Sequence, residues 1–193
     1  MTYGTGTALV VVDVQNDFAD PGGSLYVKGG EDVVRAVNEE IAAARRAGSP
    51  VFYTQDWHPP VTPHFVAQGG IWPEHCVQNT WGADFHPDLV VDGEVVRKGA
   101  NGEDGYSGFT MRDPTTGEEM PTPLEARLRA EGVDAVVVVG LATDYCVKAT
   151  ALDAVRLGFR TVVKRAAIGA VDLSPGDGDA ALAELASAGA VVV

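Results

Sequence analysis

Apolar residues in this chain fall in short unbroken runs rather than in strict alternation with polar ones. Residues 8–12 (Ala-Leu-Val-Val-Val) and 135–139 (Ala-Val-Val-Val-Val) contain no polar position, and residues 50–54, 94–97, 160–164 and 190–193 are shorter or mixed versions of the same pattern. Uninterrupted β-branched runs of this length mark strands buried on both faces, as inside a parallel sheet. Between the strands the period changes to that of a helix. Val33, Val37, Ile41 and Ala44 share one face of a helix predicted over residues 31–47, with Gly48 as its stop. Val147, Ala151, Leu152 and Val155 mark a second helix ending at Gly158. Thr122-Pro-Leu-Glu125 opens a third, with Thr122 as cap, Pro123 at the first helical position and Glu125 closing a capping box. Residues 177–188 make a fourth. Strands alternating with helices predict an α/β fold in three layers, α/β/α, with a six-stranded parallel sheet in one domain spanning residues 1–193. Two stretches follow neither period: residues 59–87, rich in Pro, Gly, Trp and His, and residues 101–121, polar and glycine-rich. Irregular segments this long inside a compact domain are usually functional.

Charge narrows the partners. The net charge of −13 leaves no basic face for a nucleic acid. No apolar run approaches the roughly 20 residues that span a bilayer, so no membrane partner is expected. The opening Met-Thr-Tyr-Gly-Thr-Gly-Thr lacks a charged and apolar leader pattern, and the expected location is the cytoplasm. Cys76 and Cys146 could form one disulfide, but in a reducing cytosol single cysteines are more often inert or catalytic.

The candidate chemistry collects at strand ends. Asp13, Asp56 with His58, Lys98 and Cys146 each follow the C-terminal end of a predicted strand, the edge where open α/β sheets bind ligands. Cys146 stands where a helix begins, so the helix dipole is expected to lower its pKa and favour a nucleophilic thiolate. Taken alone it also reads as a core cysteine. Asp13 reads either as a turn cap with Asn16 and Asp17 or as the base that takes the thiol proton and later passes it to a leaving amine. Lys98 is either a solvated surface lysine or the cation that holds the thiolate and orients Asp13. His58, His64 and His75 are three of the chain's four histidines. With Asp56 they form a donor set suited to zinc, iron or manganese, the alternative being surface histidines in a loop. His86 is assigned a structural role and Cys76 a buried structural thiol.

Asp13-Val-Gln-Asn-Asp-Phe18, Thr54-Gln-Asp-Trp-His58, Trp72-Pro-Glu-His-Cys76, Lys98-Gly99, Tyr106-Ser-Gly-Phe109 and Gly140-Leu-Ala-Thr-Asp-Tyr-Cys146 together resemble the nicotinamidase branch of the isochorismatase-like cysteine hydrolases. The resemblance runs from near residue 8 to about residue 165. It implies hydrolysis of nicotinamide to nicotinate and ammonia through a cysteine thioester, in NAD salvage. Asp13, Lys98 and Cys146 would be the triad, and the backbone N–H groups of Ala142 and Cys146 the oxyanion hole. A cis peptide is implied at Leu141-Ala142 or Ala142-Thr143. Asp56, His58 and His75 would hold one divalent metal, zinc or iron, with His64 a further ligand as in some members. Phe18 and Trp72 would flank the substrate ring. No organic cofactor is implied, and a homo-oligomer is open by family analogy alone. Outside Tyr106-Ser-Gly-Phe109, the polar 101–121 loop, with Asp113-Pro-Thr-Thr-Gly117, is not matched to the family pattern. The rival expectations are an amide or ureido hydrolase of the same superfamily, an isochorismatase-type vinyl-ether cleavage, which has no use for the metal ligands, and a non-catalytic metal-binding module.

Overall fold

The computed structural model describes residues 3–193. Six strands form one parallel sheet: β1 (Thr7–Val12), β2 (Val51–Asp56), β3 (Glu94–Lys98), β6 (Ala135–Leu141), β7 (Arg160–Gly169) and β8 (Val191–Val192), in the spatial order β3-β2-β1-β6-β7-β8. The two runs without a polar residue, β1 and β6, lie side by side at the centre and are buried along their whole length. That placement is what their composition dictates, because only a strand covered on both faces can be apolar at every position.

Each face of the sheet carries helices. Leu9, Val11, Val137 and Val139 pack with α2 (Gly30–Arg46), which buries Val33, Val34, Val37, Ile41 and Ala44. Burying a side chain of this size is worth about 1.5–3 kcal/mol, so this one stripe secures the helix. Ala8, Val10, Val12, Val136 and Val138 point the other way, onto α3 (Leu124–Ala130), α4 (Lys148–Arg156) and α5 (Asp177–Ala188). The three-layer expectation holds. Among the described residues, no helix is long and apolar enough to cross a membrane.

The differences from the expected elements are local. A four-residue helix, α1 (Asn16–Ala19), sits in a stretch read as loop. The 101–121 segment contains a small antiparallel hairpin, β4 (Thr110–Arg112) with β5 (Glu119–Pro121). The capping box at α3 is half formed. The Thr122 hydroxyl accepts from the Leu124 N–H at 3.2 Å and donates to the Gly108 carbonyl at 2.6 Å, whereas Glu125 pairs with Arg129 one turn on. The segment leading to Cys146 is a π-helical turn, Thr143–Val147, rather than the first turn of α4.

Order in the sheet 3-2-1-6 reverses the direction of chain progression between β1 and β6, and crevices form outside strand ends at such a switch point. Close approach there depends on Gly140. Its φ is +112°, and a Cβ would lie 2.1 Å from the Val12 carbonyl oxygen on β1. Gly140→Ala is therefore expected to cost about 3 kcal/mol in urea denaturation, from backbone strain and overlap together. A loss below about 1 kcal/mol would show that the strand pair yields more easily than its register implies.

Candidate active site

Asp13 follows β1 directly and adopts φ +48°, turning its carboxylate under the sheet edge, where it is fully buried. Its Oδ1 accepts from the Thr54 hydroxyl at 2.6 Å, and its Oδ2 lies 2.9 Å from the Lys98 Nζ. Lys98 ends β3 and is 1% exposed, so it is no surface lysine. Its ammonium lies between Asp13 and Asp56, hydrogen-bonding the latter, and 3.7 Å from the Cys146 Sγ. Oxygens of Asp13 and Asp56 and the Cys146 sulfur all lie within 4.8 Å of one another. The sheet thus gathers an acid, a cation and a thiol from three separate strands.

Burial and charge set the protonation states. Burial drives the Asp13 carboxyl above its ordinary range, an effect the Lys98 ammonium and the Thr54 hydroxyl only partly offset. For Asp56 burial acts in the same sense, but Lys98, His58 and His75 outweigh it and bring the carboxyl down to about 2. Burial alone would lower Lys98, yet its two carboxylates hold it well above the usual lysine range. Burial also pushes the Cys146 thiol well up, against the opposing pull of Lys98. The expected thiolate-favouring shift from a helix dipole is therefore overturned: removing the sulfur from water costs the charged form more than its surroundings return. The resting group is a thiol that needs a base, and Asp13 is beside it.

The cysteine turn is held from two sides. The Leu141–Ala142 peptide is cis. The Ala142 carbonyl accepts from the Tyr145 and Val147 N–H groups, and the Asp144 carboxylate accepts from the N–H groups of Val171 and Asp172, beyond β7. Ala142, Cys146 and Val171 consequently line one cavity, about 500 Å³ counted out to its open mouth.

His64 and His75 form the opposite wall, with His58 packed behind them. Residues His58 and Val77 pair as a short parallel bridge, which brings the His75 ring within 5.1 Å of the His58 ring, while His64 stacks on His58 at 4.6 Å. One ring nitrogen from each lies within 4.8 Å of the other two. The Nδ1 of His75 faces the Pro73 carbonyl at 2.8 Å and that of His64 faces Asp104 at 2.7 Å, which leaves each Nε2 as the lone-pair nitrogen. Both ring nitrogens of buried His58 have no hydrogen-bond partner at all. Burial lowers His58 to about 4 and His75 in the same direction, so both imidazoles are neutral and able to ligate. An orphaned, neutral, buried imidazole among two others fits a divalent metal ion. The Asp56 Oδ2 stands 3.9 Å from His58 Nε2, at the edge of the group, while its Oδ1 is held by Lys98.

The polar motif after β1 supports both walls. Gln15 makes a two-way amide match with the Asp56 backbone at 2.7 and 2.8 Å, Asn16 holds the Trp81 carbonyl, and the Asp17 carboxylate accepts from the Cys76 N–H at 2.7 Å. Cys76 is a free buried thiol outside the histidine group, and His86 caps a turn at Asp88. Phe18 and Trp72 line the cavity together with Tyr106 and Tyr145, and the Trp72 indole N–H donates to the Tyr106 hydroxyl at 3.0 Å. Tyr106 and Tyr145 each stand in a motif that carries the family resemblance but have no role assigned from it, and Asp104 has no sequence signal.

The sequence and the fold have counterparts among known proteins. The nicotinamidase/pyrazinamidase of Mycobacterium tuberculosis is 47% identical over 161 residues, covering 81% of this chain and 82% of that protein. The structure of pyrazinamidase of Pyrococcus horikoshii in complex with zinc superimposes with a TM-score of 0.86 at 41% identity, over 97% of this chain and 98% of that one. PnC1 from L. infantum in complex with nicotinate gives a TM-score of 0.90 at 38% identity, over 100% and 95% of the two chains. The isochorismatase domain matches residues 7–193, from the first residue of β1 to the end of the sheet, and the chain belongs to the isochorismatase family.

Proposed function

We propose that this chain is a metal-dependent amidohydrolase that converts nicotinamide to nicotinate and ammonia through a thioester on Cys146. The observation that carries this reading is the meeting of two groups at one small cavity: Cys146, backed by Asp13 and Lys98, on one side, and His64 and His75, backed by His58, on the other. The similarity to a nicotinamidase/pyrazinamidase and to a nicotinate complex supports the choice of amide. A cavity walled by Phe18, Trp72, Tyr106 and Tyr145 suits a planar aromatic ring carrying one carboxamide.

The protein's own groups account for the proton traffic. Asp13 takes the Cys146 thiol proton as the sulfur attacks the carboxamide carbon, and the N–H groups of Ala142 and Cys146 receive the developing oxyanion. Protonated Asp13 then gives that proton to the departing amine, which leaves as ammonia. Asp13, again a carboxylate, takes a proton from water as its oxygen attacks the thioester, and returns it to sulfur when nicotinate is released. Lys98 keeps Asp13 in place and compensates the thiolate formed beside it. His58, His64 and His75, with the Asp56 carboxylate at their edge, would hold a divalent ion such as zinc or iron, with manganese also suited to the donors. When bound, such an ion supplies a Lewis-acidic anchor for the pyridine nitrogen. Phe18 and Trp72 would flank the ring.

The test is direct. Incubation of the purified chain with nicotinamide should yield nicotinate and ammonia in equal amounts. Stripping with a chelator should remove at least about nine-tenths of that activity, and zinc or iron should restore it. A metal-replete preparation that releases no nicotinate refutes the substrate, and full activity in the stripped protein refutes the metal requirement.

A further inference from the structure

The 101–121 loop hydrogen-bonds the histidine group through Asp104. Both of its carboxylate oxygens are engaged. Oδ1 accepts from the His64 Nδ1–H at 2.7 Å and from the Gly105 N–H at 2.8 Å, and Oδ2 accepts from Arg112 at 3.1 Å. The backbone of Asp104 pairs in both directions with that of Arg112 on β4, at 2.7 and 2.6 Å. The carboxylate is therefore held from three directions in its contact with His64. The other two imidazoles lack such support: His75 has only a neutral carbonyl behind it, and His58 has nothing.

We propose that Asp104 is a positioning residue for the metal centre, fixing the tautomer and ring orientation of His64, and that Arg112 and the β4–β5 hairpin serve to hold Asp104 there. An ionised carboxylate behind an imidazole makes its far nitrogen a stronger donor, which is the arrangement found behind metal-bound histidines. This inference rests on the reading of His64 as a ligand. It gives the hairpin a part in metal retention although the hairpin itself supplies no ligand. A bland alternative exists on the same geometry: the His64–Asp104 pair could merely staple two surface loops.

The two accounts separate in metal binding. The metal-free protein would be titrated with zinc against a chromophoric chelator, and the cobalt-loaded protein examined by its visible absorption, which reports coordination number. Asp104→Asn keeps the volume and an oxygen to accept from Nδ1 but loses the charge. It is expected to weaken zinc binding by about 10–100-fold and to alter the cobalt bands. Arg112→Ala leaves His64 and Asp104 in place and should shift both readings in the same direction by less. A staple alone would lower the unfolding midpoint of the metal-free protein and leave zinc affinity within about twofold of wild type with cobalt bands unchanged, and that result overturns the proposal. His64→Ala distinguishes the two levels of failure. Weakened binding there with none in Asp104→Asn removes only the positioning role. Unchanged binding in His64→Ala removes His64 as a ligand and the proposal with it, while nicotinate formation remains a separate measurement.

Discussion

Cys146→Ala is expected to lower nicotinate formation by about 10⁴-fold or more while leaving the fold and the metal content as they are. The thiol is 6% exposed, and its loss removes one sulfur atom from a wall already packed by Val147 and Ala151 of the same core layer, so the thermal midpoint should move only slightly. The three histidines and Asp56 lie on other segments and are untouched. Cys146→Ser is expected to be nearly as inactive, because burial already pushes the pKa of the thiol up and a hydroxyl in its place is far harder for Asp13 to deprotonate. Chromatographic detection of nicotinate, read beside metal content, checks both variants. Ammonia release by the alanine variant at even a tenth of the wild-type rate would sink the covalent route.

Lys98→Met should be costly in a different way. The ammonium is buried between two carboxylates, and replacing it with an apolar chain of similar length leaves Asp13 and Asp56 facing each other without the ammonium between them. Removing one partner from a buried ionic group typically costs about 3–5 kcal/mol, and here Asp13 is the carboxylate left with neither water nor counter-ion. The same change strips the thiolate of the ammonium beside it, so turnover should fall by roughly 10²-fold or more even in the molecules that remain folded. Urea denaturation and single-temperature turnover, both on the metal-loaded protein, measure the two effects. A stability loss under about 1 kcal/mol would mean that one of the two carboxyls simply takes up a proton when the lysine is gone.

Much of this arrangement was legible in the chain because the physics involved is local. Four consecutive valines in β6 and the apolar run of β1 announce strands covered on both faces, and a titratable residue after such a strand lands on the binding edge whatever lies elsewhere. A strand-end position is what Asp13, Lys98 and Cys146 share in the sequence, and the structure brings the three together. Less legible was everything created by distance. Asp104 lies 40 residues from His64 and has no periodicity or neighbour to mark it, and its importance exists only once the 101–121 loop folds across the histidines. The protonation of Cys146 was misjudged for the same reason: the helix start is written locally, but the burial that outweighs it is assembled from β1, β3 and β6 together. Glu125 pairing forward with Arg129, rather than back to the cap, is a smaller case of one satisfactory local partner displacing another.

The position of β1 beside β6 carries a kinetic consequence. Thr7 pairs with Ala135 and Val12 with Gly140, so the centre of the sheet joins stretches separated by most of the chain. Such contacts close late, since a long loop must lose its freedom before they form. A chain that has laid down everything through β3 already contains Asp13, Lys98 and all three clustered histidines, yet it lacks a nucleophile until β6 and the turn behind it dock. Recovery of turnover after dilution from denaturant should accordingly trail the return of helical signal, and it would time the docking of those two strands rather than the collapse of the chain.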